Sequence, residues 1–441
     1  MAQTRVPYCS PYRLLAALRS RPGSAADSIH RAYAKFIWRS VGPQHVALIA
    51  LLAILWPVIF VVMGAMFTRK LGPAVARKTG KSVPRQVGEQ LWLAMIHSMP
   101  PDKYYVFELF RDDRRAMARD YIMRYELKGA FHNLMHLRDV TSKSSVNTKR
   151  DLTEKFRFWR KCHENGVASP QVIARVDSGG KLVPVTWKKG GLPKRSLFIK
   201  PARGKGGRGC ERWAHGPSGY EGPNGRILSE AELLAHIARL VDLRGRYLIQ
   251  ECLTNHPDLT GLSHGLTSLR ITSCRNEHDG FEVTNATLKF SFSSGSAVDN
   301  FHQGGGVARV AVDSGLVGPA SDSWSKRPCV WHQVHPLTGA QIEGRHLPLW
   351  PETVAMVERA HALFPDRVML GFDVAITDRG PVIIEGNVQS GCDMIQRTHD
   401  VPIGRQRLGE LLAFHANDAM ARPVRRKRMA WFGPLDYFGR R

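Results

Sequence analysis

The chain has 441 residues, 43% of them apolar, and its 63 Lys and Arg against 38 Asp and Glu give a net charge of +25. At about 150 residues per domain the length allows two or three domains; the apolar share excludes a disordered chain, and the charge asks for an anionic partner, whether nucleic acid, anionic lipid or a phosphorylated ligand. Seven cysteines, odd in number and without a CxxC pair, argue against a disulfide framework or a structural zinc site and fit a reducing cytoplasm.

Residues 1–45 form a basic amphipathic segment. Ile29, Tyr33, Phe36, Ile37 and Val41 recur at helical spacing opposite Arg31, Lys35 and Arg39. Such a stripe suits a helix lying on an anionic membrane, or an ordinary surface helix. Residues 46–67 then run for 22 residues without a charge. At about 1.5 Å per residue they can cross a hydrocarbon layer ~30 Å thick. Basic residues flank both ends, so charge asymmetry gives no orientation. Pro57 sits in the middle, and a kinked transmembrane span, a re-entrant hairpin with both flanks cytoplasmic and a buried core helix all remain open.

From 83 to 147 the pattern is helical, broken at Pro100-Pro101-Asp102, with Ser142–Thr148 reading as a linker. No glycine-rich strand-to-helix turn occurs there, which excludes a dinucleotide fold.

Residues 148–421 hold the mixed part of the chain. Asp151–Asn165 is a helix, and Leu197–Lys200 a short strand entering a loop with Gly204, Lys205, Gly206, Gly207 and Gly209. Glycines and cations there can bring backbone N–H groups onto a polyphosphate, although a flexible basic turn has the same composition. Ser229 and Glu232 form a capping box for a helix to about Leu243. Tyr247–Leu253, Leu266–Cys274 and Phe281–Phe292 read as strands. In Met369–Gly391 two apolar runs flank a three-residue hairpin loop, Asp378-Arg379-Gly380. If Thr377 pairs with Pro381, Asp373 faces Glu385, and period-2 alternation sets Asp373, Glu385 and Asn387 on one face and Phe372, Val374 and Ile376 on the other. Facing carboxylates repel unless a cation lies between them, and hard oxygen ligands suit Mg2+. An exposed hairpin with scattered acids is the plain alternative. Residues 422–441 mix cations with Trp431, Phe432, Tyr437 and Phe438. That tail suits a lipid headgroup interface, a solubilising tail or a nucleic-acid arm.

The order Lys155, Lys200-Pro201, glycine loop, Gln250-Glu251 and Asp373…Glu385-x-Asn387 resembles the ATP-grasp superfamily. Tyr104-Tyr105, Thr267-Ser268-Leu269-Arg270, Asp299-Asn300-Phe301-His302, Gly304-Gly305-Gly306, His335-Pro336-Leu337-Thr338-Gly339 and Gly371–Thr377 are similar to the sugar-transfer-associated ATP-grasp family. The resemblance, over about residues 100–420, implies an α+β ATP-grasp fold in which two α+β subdomains clasp ATP, here preceded by a helical region and the hydrophobic membrane segment. The helical region stands where the usual ATP-grasp chain has an α/β subdomain.

The resemblance also implies roles. Lys155 and Lys200 would approach the ATP phosphates, and Gly204, Lys205, Gly206 and Gly207 would close over them. Gln250, Glu251 and Leu253 would border the adenine; Asp373, Glu385 and Asn387 would hold one or two Mg2+ ions, with Mn2+ also fitting. Arg270, with Lys200, would neutralise the transferring phosphoryl group. Asn300 reads as a substrate contact, and His302 and His335 as structural residues.

The expected protein is a membrane-attached ligase with its catalytic domain in the cytoplasm. It would activate a small-molecule carboxylate as an acyl phosphate for an amine or similar acceptor in polysaccharide or cell-envelope metabolism. Its partners would include anionic membrane lipid; nucleic acid is not expected, and the oligomeric state stays open. The alternatives are a kinase acting on a sugar or related hydroxyl, or a non-catalytic nucleotide-binding module of a polysaccharide assembly.

Overall fold

A computed structural model describes residues 11–19, 23–40, 42–127, 143–204, 206–263, 265–292, 305–322, 327–388 and 390–421. Lys205, Asn300, His302 and the 422–441 tail fall outside these residues. The first part is helical: α1 (Pro11–Arg19), α2 (Ala25–Ser40), α3 (Pro43–Thr79), α4 (Val83–His97), α5 (Pro101–Val106) and α6 (Asp112–Ala116). Then come α7 (Lys143–Thr153) and α8 (Lys155–Glu164).

Two antiparallel sheets follow, as the α+β expectation requires. The first comprises β1 (Val172–Val176), β2 (Leu182–Pro184), β3 (Leu197–Pro201), β4 (Glu211–Gly216), β5 (Gly219–Glu221), β6 (Ile227–Leu228) and β7 (Tyr247–Glu251) in the order β2-β1-β7-β3-β4-β5-β6. Helix α9 (Glu230–Arg244), opened by the Ser229–Glu232 capping box, buries Leu233, Ile237 and Val241 against Ile199, Trp213 and Ile249 of this sheet. The second comprises β8 (Ser268–Arg275), β9 (Phe281–Ser291), β10 (Gly305–Val310), β11 (Val317–Ser321), β12 (Trp331–His332), β13 (Met369–Thr377) and β14 (Gly380–Asn387), ordered β12-β11-β10-β9-β8-β13-β14. Helix α10 (Trp350–Ala362) shares a core with Phe372, Val374 and Ile376. The chain then runs through α11 (Asp393–Thr398) and α12 (Arg407–Ala421).

Three expectations need correction. The apolar stripe of α2 does not lie on a membrane: Ile29, Tyr33 and Phe36 are buried in one cluster with Leu408, Leu411 and Leu412 of α12 and with Met369 of β13. The same stripe serves a lipid surface or a protein core equally well, and here a core takes it. Residues 46–67 are not a re-entrant hairpin, because α3 continues unbroken through Pro57. Proline lacks the N–H that would bond the carbonyl four residues back, and the Tyr12 hydroxyl donates to that Ala53 carbonyl at 2.7 Å instead. Of the stretch read as a linker, Lys143–Thr148 is helical and continues to Thr153, while Ser142 lies outside the described residues; the helix expected from Asp151 breaks at Glu154, which caps the next one.

The sheets are tied at β7 and the tip of the β13–β14 hairpin. After β7, the His256 N–H donates to the Ile376 carbonyl at 3.0 Å, and Arg379 in the hairpin tip pairs with Glu251 at 2.8 Å. Among the described residues α3 is the one helix long and apolar enough to cross a membrane.

Candidate active site

The hairpin has a shorter loop than its sequence suggests. Thr377 pairs with Gly380, which leaves a two-residue tip, and Gly380 takes a φ of 113° that a side chain would strain. That register alone would set Asp373 opposite Ile384. A bulge at Ile384 restores the match, and Asp373 faces Glu385 and Gly371 faces Asn387. Between the two acidic and amide positions, Gly386 turns to the other side. A Cβ there would stand 2.8 Å from Leu152 Cδ2 and 2.9 Å from Phe158 Cε2, so only glycine lets α7 and α8 pack this close to β14.

Across β9, β8, β13 and β14 the positions Thr287, Arg270, Asp373 and Glu385 form one row. Arg270 holds Asp373 in a fork, Nε to Oδ1 at 2.6 Å and Nη2 to Oδ2 at 3.2 Å. Lys289 adds its ammonium 3.5 Å from Oδ1. Burial raises the Asp373 pKa, but Arg270 and Lys289 outweigh it and hold the carboxyl well below the usual range. Glu385 goes the other way: burial first, then the Asp373 charge, push its carboxyl up, while Lys155, Lys200 and Arg270 pull it down. The pair therefore sets one firm anion beside one carboxyl that holds its proton more tightly than usual.

Lys200, on β3 of the other sheet, is 4% exposed and faces the same charges. Burial and the neighbouring Lys155 lower its ammonium to about 8, against the raising effects of Glu385 and Asp373. Lys155 opens α8, whose N-terminus is capped by the Glu154 carboxylate accepting from Phe156 and Arg157 N–H groups. Its backbone N–H donates to the Ala202 carbonyl and its Nζ donates to the Gly204 carbonyl at 3.1 Å, tying it to the glycine loop. Gly204, Gly206, Gly207 and Gly209 all have positive φ, the conformations that let a loop turn its N–H groups toward an anion.

The β7 end is built differently. Gln250 is buried and donates through Nε2 to the Pro170 carbonyl at 3.0 Å. Glu251 accepts from the Gln171 N–H at 2.9 Å and from Arg379, and Leu253 is half-buried just beyond. Glu251 thus joins the sheets where they meet. His335 is structural here, with Nδ1 accepting from Leu337 and Thr338 N–H groups and the ring bonded to the Ser291 carbonyl.

Two residues escape a reading by motif. Lys289 shares the alternation of Asn285, Thr287 and Ser291, the polar face of β9, which is the pattern that identifies it. Ser390 is fully buried with an unpartnered Oγ, and a Cβ on Gly371 would come within 2.5 Å of that oxygen. Only the fold brings it beside Arg270.

The donor set fits a divalent cation. Two carboxylates lie in register, and the buried Asn387 Nδ2 has no partner; a flip of that amide puts its oxygen at the same point. Among the described residues no cluster of three His, Cys, Asp or Glu side chains offers a rival site.

The fold has distant likenesses among solved structures. D-alanyl-alanine synthetase A from Vibrio cholerae aligns with a TM-score of 0.37 and 9% identity, over 62% of this chain and 67% of its own. An L-amino acid ligase from Bacillus licheniformis gives 0.39 and 13%, over 72% of this chain and 63% of the ligase, so the chain spans less than two thirds of that enzyme. D-alanine-D-alanine ligase from Bacillus anthracis, complexed with ATP, gives 0.33 and 10%, over 63% and 69%. No curated protein matches the chain. The model of the sugar-transfer associated ATP-grasp family matches residues 142–402, more than half of the chain, and takes in Lys155, Lys200, the glycine loop and the Asp373–Asn387 hairpin. The protein belongs to the sugar-transfer associated ATP-grasp family.

Proposed function

We propose that the protein is a membrane-attached, ATP-dependent ligase that joins a small carboxylic acid to an amine or similar nucleophile, with its site in the cytoplasm. The observation that carries this reading is the convergence of Lys155, Lys200, Arg270 and Lys289 on the Asp373–Glu385 pair. Four cations and two carboxylates leave a net positive cleft, suited to a polyphosphate and to a second, carboxylate substrate. The substrate oxygen attacks the γ-phosphorus, the bond to the bridging oxygen breaks and ADP leaves. The amine then attacks the acyl carbon; phosphate departs and the nitrogen loses a proton.

The residues contribute position and charge, which is most of what phosphoryl transfer requires. Lys200 and Lys155 bind phosphate oxygens, and the glycine loop covers them and keeps water from the acyl phosphate. Arg270 keeps Asp373 anionic and oriented. Gln250, Glu251 and Leu253 border the base. A divalent cation held by Asp373, Glu385 and Asn387 supplies further neutralisation of phosphate charge when bound. The family's link to sugar transfer and the apolar α3 support a polysaccharide or envelope precursor as acceptor, which is fold-level analogy.

Full-length protein with ATP, Mg2+, pooled envelope precursors and hydroxylamine tests the proposal. Hydroxamate formed together with ADP, and lost in Glu385→Ala, supports it and gives the acid by mass. A phosphorylated product without hydroxamate replaces it with a kinase, and nucleotide binding without turnover of any precursor points to a non-catalytic module.

A further inference from the structure

Although α3 is apolar enough to cross a bilayer, one of its sides is already occupied by protein. Trp56, Phe60 and Met63 are buried, and Tyr12 closes on the Ala53 carbonyl. The next residue, Arg13, donates to the carbonyls of His97 at 3.1 Å and Tyr121 at 3.3 Å and pairs with the buried Glu126 at 3.3 Å. Ala53 lies about 10 Å into the charge-free stretch at about 1.5 Å per residue. A spanning placement would sink this ionic cluster, and the body around it, into a hydrocarbon layer ~30 Å thick.

Among the described residues nothing covers the opposite side. Ile54 is 75% exposed, and Val58, Val61 and Val62 line up with it. Helix α4 runs antiparallel alongside, registered by Gln90 Nε2 on Thr68 Oγ1 at 2.9 Å, so that its far end lies beside the middle of α3. There it exposes Trp92, Ile96 and Met95, the last at 79%. Arg69, Lys70, Arg77 and Lys78, all exposed, follow the charge-free stretch on α3. A continuous two-helix apolar face rimmed by cations complements an anionic lipid surface.

We infer that the α3–α4 hairpin lies in the plane of an anionic membrane with this face dipped into one leaflet, and that α3 does not cross. The inference rests on the membrane attachment proposed above. It places both ends of α3 and the nucleotide site on one side of the membrane, so an acceptor would be met at the surface of that leaflet.

Gly42→Cys and Ser82→Cys, introduced singly in the full-length protein, test it. Membrane-impermeant maleimide is applied to intact spheroplasts and to inverted membrane vesicles, with the unsubstituted protein as background. Both positions should label in the same preparation; labelling in opposite preparations overturns the inference in favour of a span. With phosphatidylglycerol–phosphatidylcholine vesicles, Ile54→Cys and Met95→Cys should lose most of their reactivity. If they are equally unreactive without vesicles and the protein is a dimer, a second copy covers the face and the inference fails. Absence from both the membrane fraction and the vesicles overturns attachment itself, an outcome distinct from a wrong topology.

Discussion

Arg270 and Asp373 stand opposite each other on β8 and β13, fork to carboxylate, with Lys289 closing on the same Oδ1 from β9. The arrangement orients a carboxylate and keeps it ionised against a burial that alone would raise its pKa.

Removing one partner should cost more than removing both. Arg270→Met leaves Asp373 with Lys289 alone, and breaking a buried pair in this way costs about 3–5 kcal/mol, whereas Arg270→Met with Asp373→Leu should cost much less. Urea midpoints of the parent and the two variants check this. The pH dependence has a definite sign. Asp373 has a folded pKa below its ordinary 3.8, so its contribution is complete above that value and is lost as pH falls through the folded pKa. Arg270→Met should flatten that acid limb.

Lys200 separates binding from stability. Its folded pKa of about 8 is below the ordinary 10.5, so the unfolded chain holds the proton more tightly and this group's effect on stability becomes more favourable as pH rises from about 8 to 10.5. Nucleotide affinity should move oppositely, weakening above about pH 8 as the ammonium discharges. Lys200→Met should leave the melting temperature near that of the parent but weaken ATP binding by about 2–5 kcal/mol, the range for a truncated buried charge contact. Calorimetry across pH, with both proteins, reads the two effects.

Glu385 should release a proton when a divalent cation binds, since the cation's charge offsets the burial and the Asp373 repulsion that hold its carboxyl up. Calorimetric titrations with Mg2+ or Mn2+ in buffers of different ionisation enthalpy give the proton count. Affinity should rise with pH across the carboxylate range, and Glu385→Gln should bind more weakly and release no proton. Proton release unchanged in Glu385→Gln would assign it elsewhere.

Tyr12 and Pro57 should be coupled although they do not pair directly. Tyr12→Phe orphans the Ala53 carbonyl, at a cost of about 1–3 kcal/mol. Pro57→Ala restores a backbone N–H to that carbonyl, so Tyr12→Phe should be nearly silent in its background. Thermal unfolding of the four proteins in mild detergent completes the cycle; strict additivity would mean that the hydroxyl does not serve the carbonyl.

The two-sheet part of the fold is legible in the sequence because alternation has only two phases. Phe372, Val374 and Ile376 declare a core face, and Asp373 with Glu385 must take the other. The loop length was not legible, and the facing carboxylates follow from a one-residue bulge at Ile384 that compensates a one-residue difference in the turn. No local pattern announces such a compensation. Lys289 carries no motif, only its place on the polar phase of β9. The helical part was harder. An amphipathic stripe states that something apolar will be met but not what, so α2 suggested lipid and found α12. The polar residues at 143–148 suggest a linker because their local helix propensity is low, and the turn that follows them, with Leu152 packed beside Gly386, carries them into a helix.

The seat of α2 against α12 changes what the leader of this chain is. Ile29, Tyr33 and Phe36 cover Leu408, Leu411 and Leu412, and through them the Met369 end of the strand that carries Asp373. A fragment beginning after the hydrophobic helix, the obvious route to a soluble enzyme, would strip that cover and present a raw apolar face to water. Biochemistry on this protein therefore begins with the whole chain, because the N-terminal helices and the strand that carries Asp373 share one core.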